Sequence, residues 1–386
     1  MRKYFTIIFF LFSLCSVGQI TINGKILNVE NNEPIAGANV FINNTSYKTV
    51  TNTEGKFEFL NLNIQRGELV INALGFKYDV VSINNKTEKN ITVLLKPQAK
   101  ELDAITVTGY EKDGFKKWGK LFLDGFIGTT HESADCKIEN TKALKFYFNK
   151  KNGELSVVAN DPLKIINKAL GYQIDYTLEL FQYDTKGKIL FYSGYPVFSD
   201  LLASKKKIRQ WKEKRNECYK GSVMHFMRAL YSNKIKQEGF VVQKATKSLN
   251  EKKAAYKKKL QENILNQQKN NTVITFSNNL SDNDRNLMRE PDSVFTVFSQ
   301  ILPTDSFAFA IDSLTAGMYF ENYLIISYTI EKNTTVSSFV KLILGEPLSI
   351  FHNGSYYNPL SFFTERYWAE SEKTARMLPF NFVLEK

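Results

Sequence analysis

The stretch PIAGANVFINNTSYKTVTNTEGKFEF, Pro34 to Phe59, decides how the first quarter of the chain folds. Its apolar runs are strand-length, they are separated by Gly, Asn and Pro, and none of its side chains is a group that does chemistry. Outward from it, Ile20 to Lys96 breaks into seven such runs: ITINGKILN, ANVFINN, YKTVTN, KFEFLNL, ELVINAL, DVVSI and NITVLL. Glu54-Gly55 reads as a hairpin turn, with glycine supplying positive φ, and Pro34 and Gly37 frame an earlier corner. Strands this short and this closely spaced predict a compact antiparallel sandwich.

The wider composition agrees with a sheet-rich, folded chain. At 386 residues there is room for two or three domains, each with a core of its own. A 43% hydrophobic and 13% aromatic content, with 30 Phe and 19 Tyr, favours folded, sheet-rich structure over disorder and suits pleated surfaces. Ahead of the sandwich, MRKYFTIIFFLFSLCSVGQ places Arg2 and Lys3 before a short apolar run and then small residues, which predicts an export signal over residues 1–18, cleaved near Gly18. Lipidation at Cys15 is the alternative, although Leu14 is bulky for the position before a lipid-bearing cysteine. No later window reaches the roughly 18 apolar residues of a membrane helix.

Three segments of the sandwich carry a resemblance: PIAGANVFI, TNTEGKFEF and ELVINALGFKYDVVSI look like the carboxypeptidase regulatory-like domain, a transthyretin-like (prealbumin-like) β-sandwich. Thr51, Asn52, Gly55 and Phe57 fall on that family's T-D-x-x-G-x-F pattern, with Asn52 where the family has Asp, and Gly75-Phe76 matches its glycine-aromatic turn. The resemblance covers residues 20–96. It implies an accessory module without catalytic residues, in an exported bacterial cell-envelope protein. ELDAITVTGY, 101–110, is similar to the segment that joins this module to the plug of TonB-dependent outer-membrane receptors, so association with such uptake is one expectation. The about 280 residues that follow are too few for a plug and a large membrane barrel.

Beyond the module, EKDGFKKWGKLFLD, 111–124, places Phe115, Trp118, Leu121 and Phe122 on one face of a docking helix. Asn152-Gly153 predicts a hairpin, and YQIDYTLELFQYD, 172–184, alternates until it slips at Phe181, which predicts a bulge. From Lys205 to Lys259 the chain reads as helix, with 18 Lys and Arg against 4 Glu, a net of +14 beside +12 for the whole chain. Ser222 caps the middle helix of this segment and Gly239 ends it. Residues 266–293 read as an exposed loop; strands resume at NYLIISYTIEK, SSFVKLILG and PLSIFHNGSYY, and a short helix lies around TERYWAESEKTARML. The fold class is therefore mainly β with an α+β remainder: signal 1–18, sandwich 19–97, linker 98–113, an α+β unit with the basic helices over 114–270, and a β-rich region over 271–386 that can pack with it as one domain.

Chemistry is hard to find. A zinc peptidase needs H-x-x-E, and none of His131, His225 and His352 is followed by Glu at the third position. His131, Glu132, Asp135 and Cys136 in HESADC read better as a helix start, capped by Ser133 or Asp135, than as a metal cage. Ser222 and His225 share a helix face, but as N-cap and core; Cys218, beside Lys220, reads as a buried thiol. Asp175 and Glu179 lie along one strand rather than across a cleft. Cys136 and Cys218 are a candidate disulfide in an exported protein, with two separate thiols the simpler expectation.

The one physical anomaly is the basic segment. Lys205, Lys206, Lys207, Arg209, Trp211, Lys212, Lys214 and Arg215 are candidate contacts for an anionic surface, membrane or lipopolysaccharide; the export signal argues against nucleic acid. The expected function is non-catalytic binding or assembly, with an envelope protein or glycan as partner, no cofactor, and a periplasmic or outer-membrane location. A periplasmic hydrolase with an unrecognised site is the alternative.

Overall fold

A computed structural model describes residues 20–62, 64–84, 90–98, 110–269, 281–330 and 334–385. All seven expected strands of the first unit form: β1 Ile20–Asn28, β2 Asn39–Ile42, β3 Lys48–Val50, β4 Lys56–Leu62, β5 Arg66–Asn72, β6 Asp79–Asn84 and β7 Asn90–Leu95. They make two sheets, ordered β4-β1-β7 and β3-β2-β5-β6, with Ile26, Val40, Phe57, Phe59, Leu69 and Ile83 buried between them. The TNTEG turn shows why its residues are what they are. Thr51 Oγ1 accepts from the Ala38 N–H at 2.9 Å and donates to Ile35 O at 2.7 Å, closing the Pro34 corner onto the turn. Asn52 Oδ1 accepts from the N–H groups of Glu54 and Lys56, so an amide serves as well as the family's carboxylate. Gly55 sits at φ +72°, and a Cβ there would fall 2.6 Å from Ile26 O.

The second unit is a six-stranded sheet, made of β8 Cys136–Ile138, β9 Leu144–Asn149, β10 Glu154–Ala159, β11 Leu163–Asn167, β12 Tyr172–Asp184 and β13 Ile189–Asp200. The predicted bulge falls between Leu178 and Leu180, slightly before Phe181; three successive residues, Tyr176, Thr177 and Leu178, are buried there. Helix α1, Gly114–Phe126, buries Gly114, Phe122 and Phe126, with the Phe122 ring 4.8 Å from that of Phe181 and Phe126 4.9 Å from Tyr176. Phe115, expected on the docking face, is 40% exposed. Each fully buried Phe contributes roughly 2–3 kcal/mol of apolar transfer.

Helix α2, Lys205–Tyr219, and helix α3, Val223–Tyr231, lead into a third unit. Ser222 caps α3 as expected, its hydroxyl accepting from His225 N–H, but α3 ends at Tyr231 and not at Gly239. Next comes a strand, β14 Phe240–Leu249, in the interval between the helix expected to end at Gly239 and the one expected from Asn250, within a segment read as helical in character; α4 Glu251–Lys269 and α5 Asp282–Arg289 follow, and α5 occupies part of the expected loop over 266–293. The remaining elements are β15 Ser293–Ile301, β16 Ala308–Asp312, β17 Thr315–Met318, β18 Tyr323–Ile330, β19 Thr334–Leu342, β20 Leu348–Ile350, β21 Tyr356–Tyr357, β22 Phe362–Arg366 and α6 Tyr367–Ser371. One sheet runs β15-β14-β18-β19-β22 and the other β16-β17-β20-β21, with Phe226 and Met227 of α3 wholly buried among them. A boundary at residue 270 thus separates β14 from both strands it pairs with.

The three units are tied by side chains and by a strap over 372–385. The module's β2 and β5 pack Phe41 and Val70 on Val197 of β13, and Phe198 N–H donates to Thr45 O at 2.9 Å. Within the strap, Ala375 N–H bonds Ile127 O, Phe380 N–H bonds Asn44 O, and Arg228 Nη2 reaches the carbonyls of Phe380 and Phe382.

Candidate functional site

A groove of about 1760 Å³ runs where the module, the second unit and the third unit meet. Its walls include Asn43 and Arg66 from the module, Trp118 from α1, Tyr192 from β13, and Tyr356 and Phe363 from the third unit. The Arg66 guanidinium lies 5.1 Å from the Phe351 ring, bridging two walls.

The strap brings Glu372, Lys373 and Arg376 to this groove. Burial raises the Glu372 carboxyl to about 7, against the pull of Arg376, the Val223 N–H at the start of α3, and Ser371. A carboxylate from a distant segment thus meets the positive end of α3, whose own first turn holds no acidic residue. Burial lowers the neighbouring Lys373 to about 8, with Glu372 opposing. Tyr192 donates its hydroxyl to Glu372 O at 3.2 Å. Deeper in, Glu132 meets Arg376 at 3.2 Å and Lys214 at 3.6 Å. Burial works to raise its carboxyl, yet those cations and local hydrogen bonds hold it below the ordinary range. Chemically, the cluster can exchange a proton near neutral pH, while burial pushes the Cys218 thiol up to about 12 and so favours its neutral form.

The histidines do not converge. His131 is exposed at the start of a 3-10 turn over His131–Asp135, whose cap position is Thr130; Ser133 lies inside the turn and donates to Thr130 O, so neither it nor Asp135 is the cap. His225 is 5% exposed among the rings of Tyr219, Phe240 and Tyr328. Its Nδ1 accepts from Gly221 N–H and its Nε2 donates to Glu238 at 3.2 Å, while burial lowers its pKa. His352 packs near Tyr231. Among the described residues no cluster of three or more His, Cys, Asp or Glu could hold a metal. Glu179 accepts from Ser193 and Tyr195, and Asp175 lies 3.9 Å from Lys48.

The basic helix divides in two. Trp211 is buried, donating Nε1 to Lys168 O, with Gly171 leaving room for its ring. Arg215 donates to Leu170 O, Gly171 O and Asp200, and stacks 3.7 Å from the Tyr172 ring centre. Arg209 pairs with Glu213, Lys212 with Glu385, and Lys214 with Glu217 and Glu132. Lys205, Lys206 and Lys207 are exposed and have no ion pair among the described residues. Cys136 and Cys218 are both buried and free, so the candidate disulfide is not formed. Glu372, Lys373 and Tyr192 escaped sequence reasoning, because they come together from segments far apart in the chain.

The unit at the start of the chain, with its Thr51-Asn52-Gly55 turn, is a two-sheet β-sandwich. Residues 22–107 match the family model of the CarboxypepD_reg-like domain, a generally non-catalytic β-sandwich. No curated protein matches the chain. Among solved structures it is similar to a 9R-lipoxygenase from Cyanothece PCC8801, at 10% identity and a TM-score of 0.17, over 55% of this chain and 48% of that one. It thus spans about half of the lipoxygenase. It is also similar to a protein of unknown function from Bacteroides fragilis NCTC 9343, at 9% identity and a TM-score of 0.17, over 86% of this chain and 92% of that one. Among the described residues no helix is long and apolar enough to cross a membrane.

Proposed function

We propose that the chain is a non-catalytic binding or assembly protein of the exported cell-envelope type, and that the groove between its three units is the contact surface. One observation carries this reading. The module's loop Asn43–Ser46 is consumed in internal bonds to Pro196, Phe198, Phe380 and Asn381, so the module serves to build a composite wall instead of presenting a free loop. The groove combines aromatic walls with a few fixed polar groups, the make-up of a recognition surface. A photo-reactive residue at Tyr357, which is 60% exposed on the groove's rim, tests it in the native envelope. It should capture one saturable partner, captured no longer when Arg66→Glu is added. The same probe at Lys151, outside the groove, should capture none. The hydrolase alternative rests on Glu372 as a proton donor near neutral pH; peptide or ester turnover abolished by Glu372→Gln would replace the binding reading.

A further inference from the structure

A second surface lies away from the groove, at the start of α2. Leu202 is 101% exposed, and Ile208, one turn into the helix, is 38% exposed. Between them stand Lys205, Lys206 and Lys207, the cations that carry no ion pair among the described residues, whereas Arg209, Lys212, Lys214 and Arg215 all meet carboxylates. Lys207 does approach the Trp211 ring, at 5.8 Å. At this corner Leu202 and Lys207 also line a recess of about 510 Å³ with Leu201, Trp211 and Lys168, and Asp135 is its acidic member.

Both features oppose the stability of the isolated fold. Three cations in the first turn repel the positive end of the helix, and no acidic residue there offsets them. A fully exposed leucine forgoes its burial. One environment satisfies both at once: a water–hydrocarbon boundary carrying negative charge, where the lysine stems lie along the apolar layer and their ammonium groups meet phosphates. We infer that Leu202 and Lys205–Lys207 form a docking surface for an anionic phospholipid bilayer, with Leu202 entering the headgroup layer. The choice of lipid over nucleic acid rests on the expected export; the apolar residue supports it independently, since a phosphate backbone offers Leu202 nothing.

The test uses protein recovered after expression of the full chain, sedimented with vesicles of phosphatidylcholine alone or with roughly a third phosphatidylglycerol. Binding should require phosphatidylglycerol and fall steeply with salt. Replacing Lys205→Glu, Lys206→Glu and Lys207→Glu together should weaken it by on the order of 100-fold, from about fivefold per lysine. That variant should melt no lower than the parent, because glutamates suit the first turn of α2, which separates lost binding from lost folding. Leu202→Ser should weaken binding about 10-fold. Equal binding to both vesicles, undiminished binding by the triple variant, or a DNA duplex bound in preference to vesicles overturns the inference. None of these substitutions touches the groove, so this surface and the groove fail separately.

Discussion

Glu372 offers a quantitative check on how the strap holds the three units together. Its carboxyl lies at about 7 in the folded chain against an ordinary 4.5, with burial the main cause. That displacement corresponds to roughly 3 kcal/mol, trimmed somewhat because the side chain keeps partial solvent contact. Since the folded-state value is the higher, the native state holds the proton more tightly than the unfolded chain. The associated stability is complete below about pH 4.5 and is lost as pH rises through about 7. Glu372→Gln mimics the protonated acid at every pH and keeps an oxygen to accept from Val223 N–H. At pH 5 the variant and parent should agree within about 1 kcal/mol. By pH 8 the variant should be the more stable by roughly 2–3 kcal/mol, a shift of about 1 M in the urea midpoint. Fluorescence of Trp368 and Trp211, buried in the third and second units, follows the unfolding. Lys373 titrates in the same range, but it is common to both proteins and cancels in the difference. A difference that stays flat from pH 5 to pH 8 refutes the buried-acid account. A variant less stable at pH 8 would mean that the attraction of the ionised carboxylate to the nearby Arg376 charge is net stabilising.

Two further outcomes follow from buried groups. Cys136 and Cys218 are buried, with thiols pushed up to about 12, so both should resist iodoacetamide in the folded chain at pH 8 and react once urea is added without reductant; a species whose two thiols need reduction first would contradict this. Asn167 donates to Ala375 O at 2.8 Å and accepts from Leu170 N–H at 3.0 Å, both in the core, so Asn167→Ala should cost about 1–3 kcal/mol for each group left unpaired and should speed proteolysis within the strap; unchanged cleavage would show that the other ties suffice.

The module was legible in the sequence because its signals are local. Phe57 and Phe59 alternate inward in KFEFLNL before the strand slips at Asn61 to bury Leu62, and Asn52 and Gly55 serve the backbone of the turn. Residues Phe240–Leu249 begin with the same alternation, Phe240 and Val242 inward, but the register shifts between Gln243 and Ala245, where the small Ala245 is the next inward residue, and lysine-rich helices flank them. On α1 the apolar stripe was visible and its contact line was not. Gly114 is an inward position, where a Cβ would come 2.6 Å from Phe146, and hydrophobicity cannot mark a glycine as an inward position. The groove left still less trace. Glu132, Lys214 and Arg376 look like ordinary surface charges one at a time, and their meeting depends on a strap that returns across the whole chain.

That return also changes what the basic excess means. Read along the chain, the cations of α2 form one block; in space, Lys212, Lys214 and Arg215 are internal ties, while Arg209 pairs within the helix and Lys205–Lys207 carry no ion pair among the described residues. Arg215 clamps the turn at Leu170–Gly171, and Lys212 and Lys214 hold Glu385 and Glu132, while from α3 Arg228 binds the strap. The same ties fix the module, because Asn44 bonds both Pro196 and Phe380 and Ser46 bonds Asn381. The groove's walls are therefore placed relative to one another by internal bonds, and the partner proposed for it would meet a surface that only the assembled chain provides, since the sandwich alone lacks the walls from β13, β21 and β22.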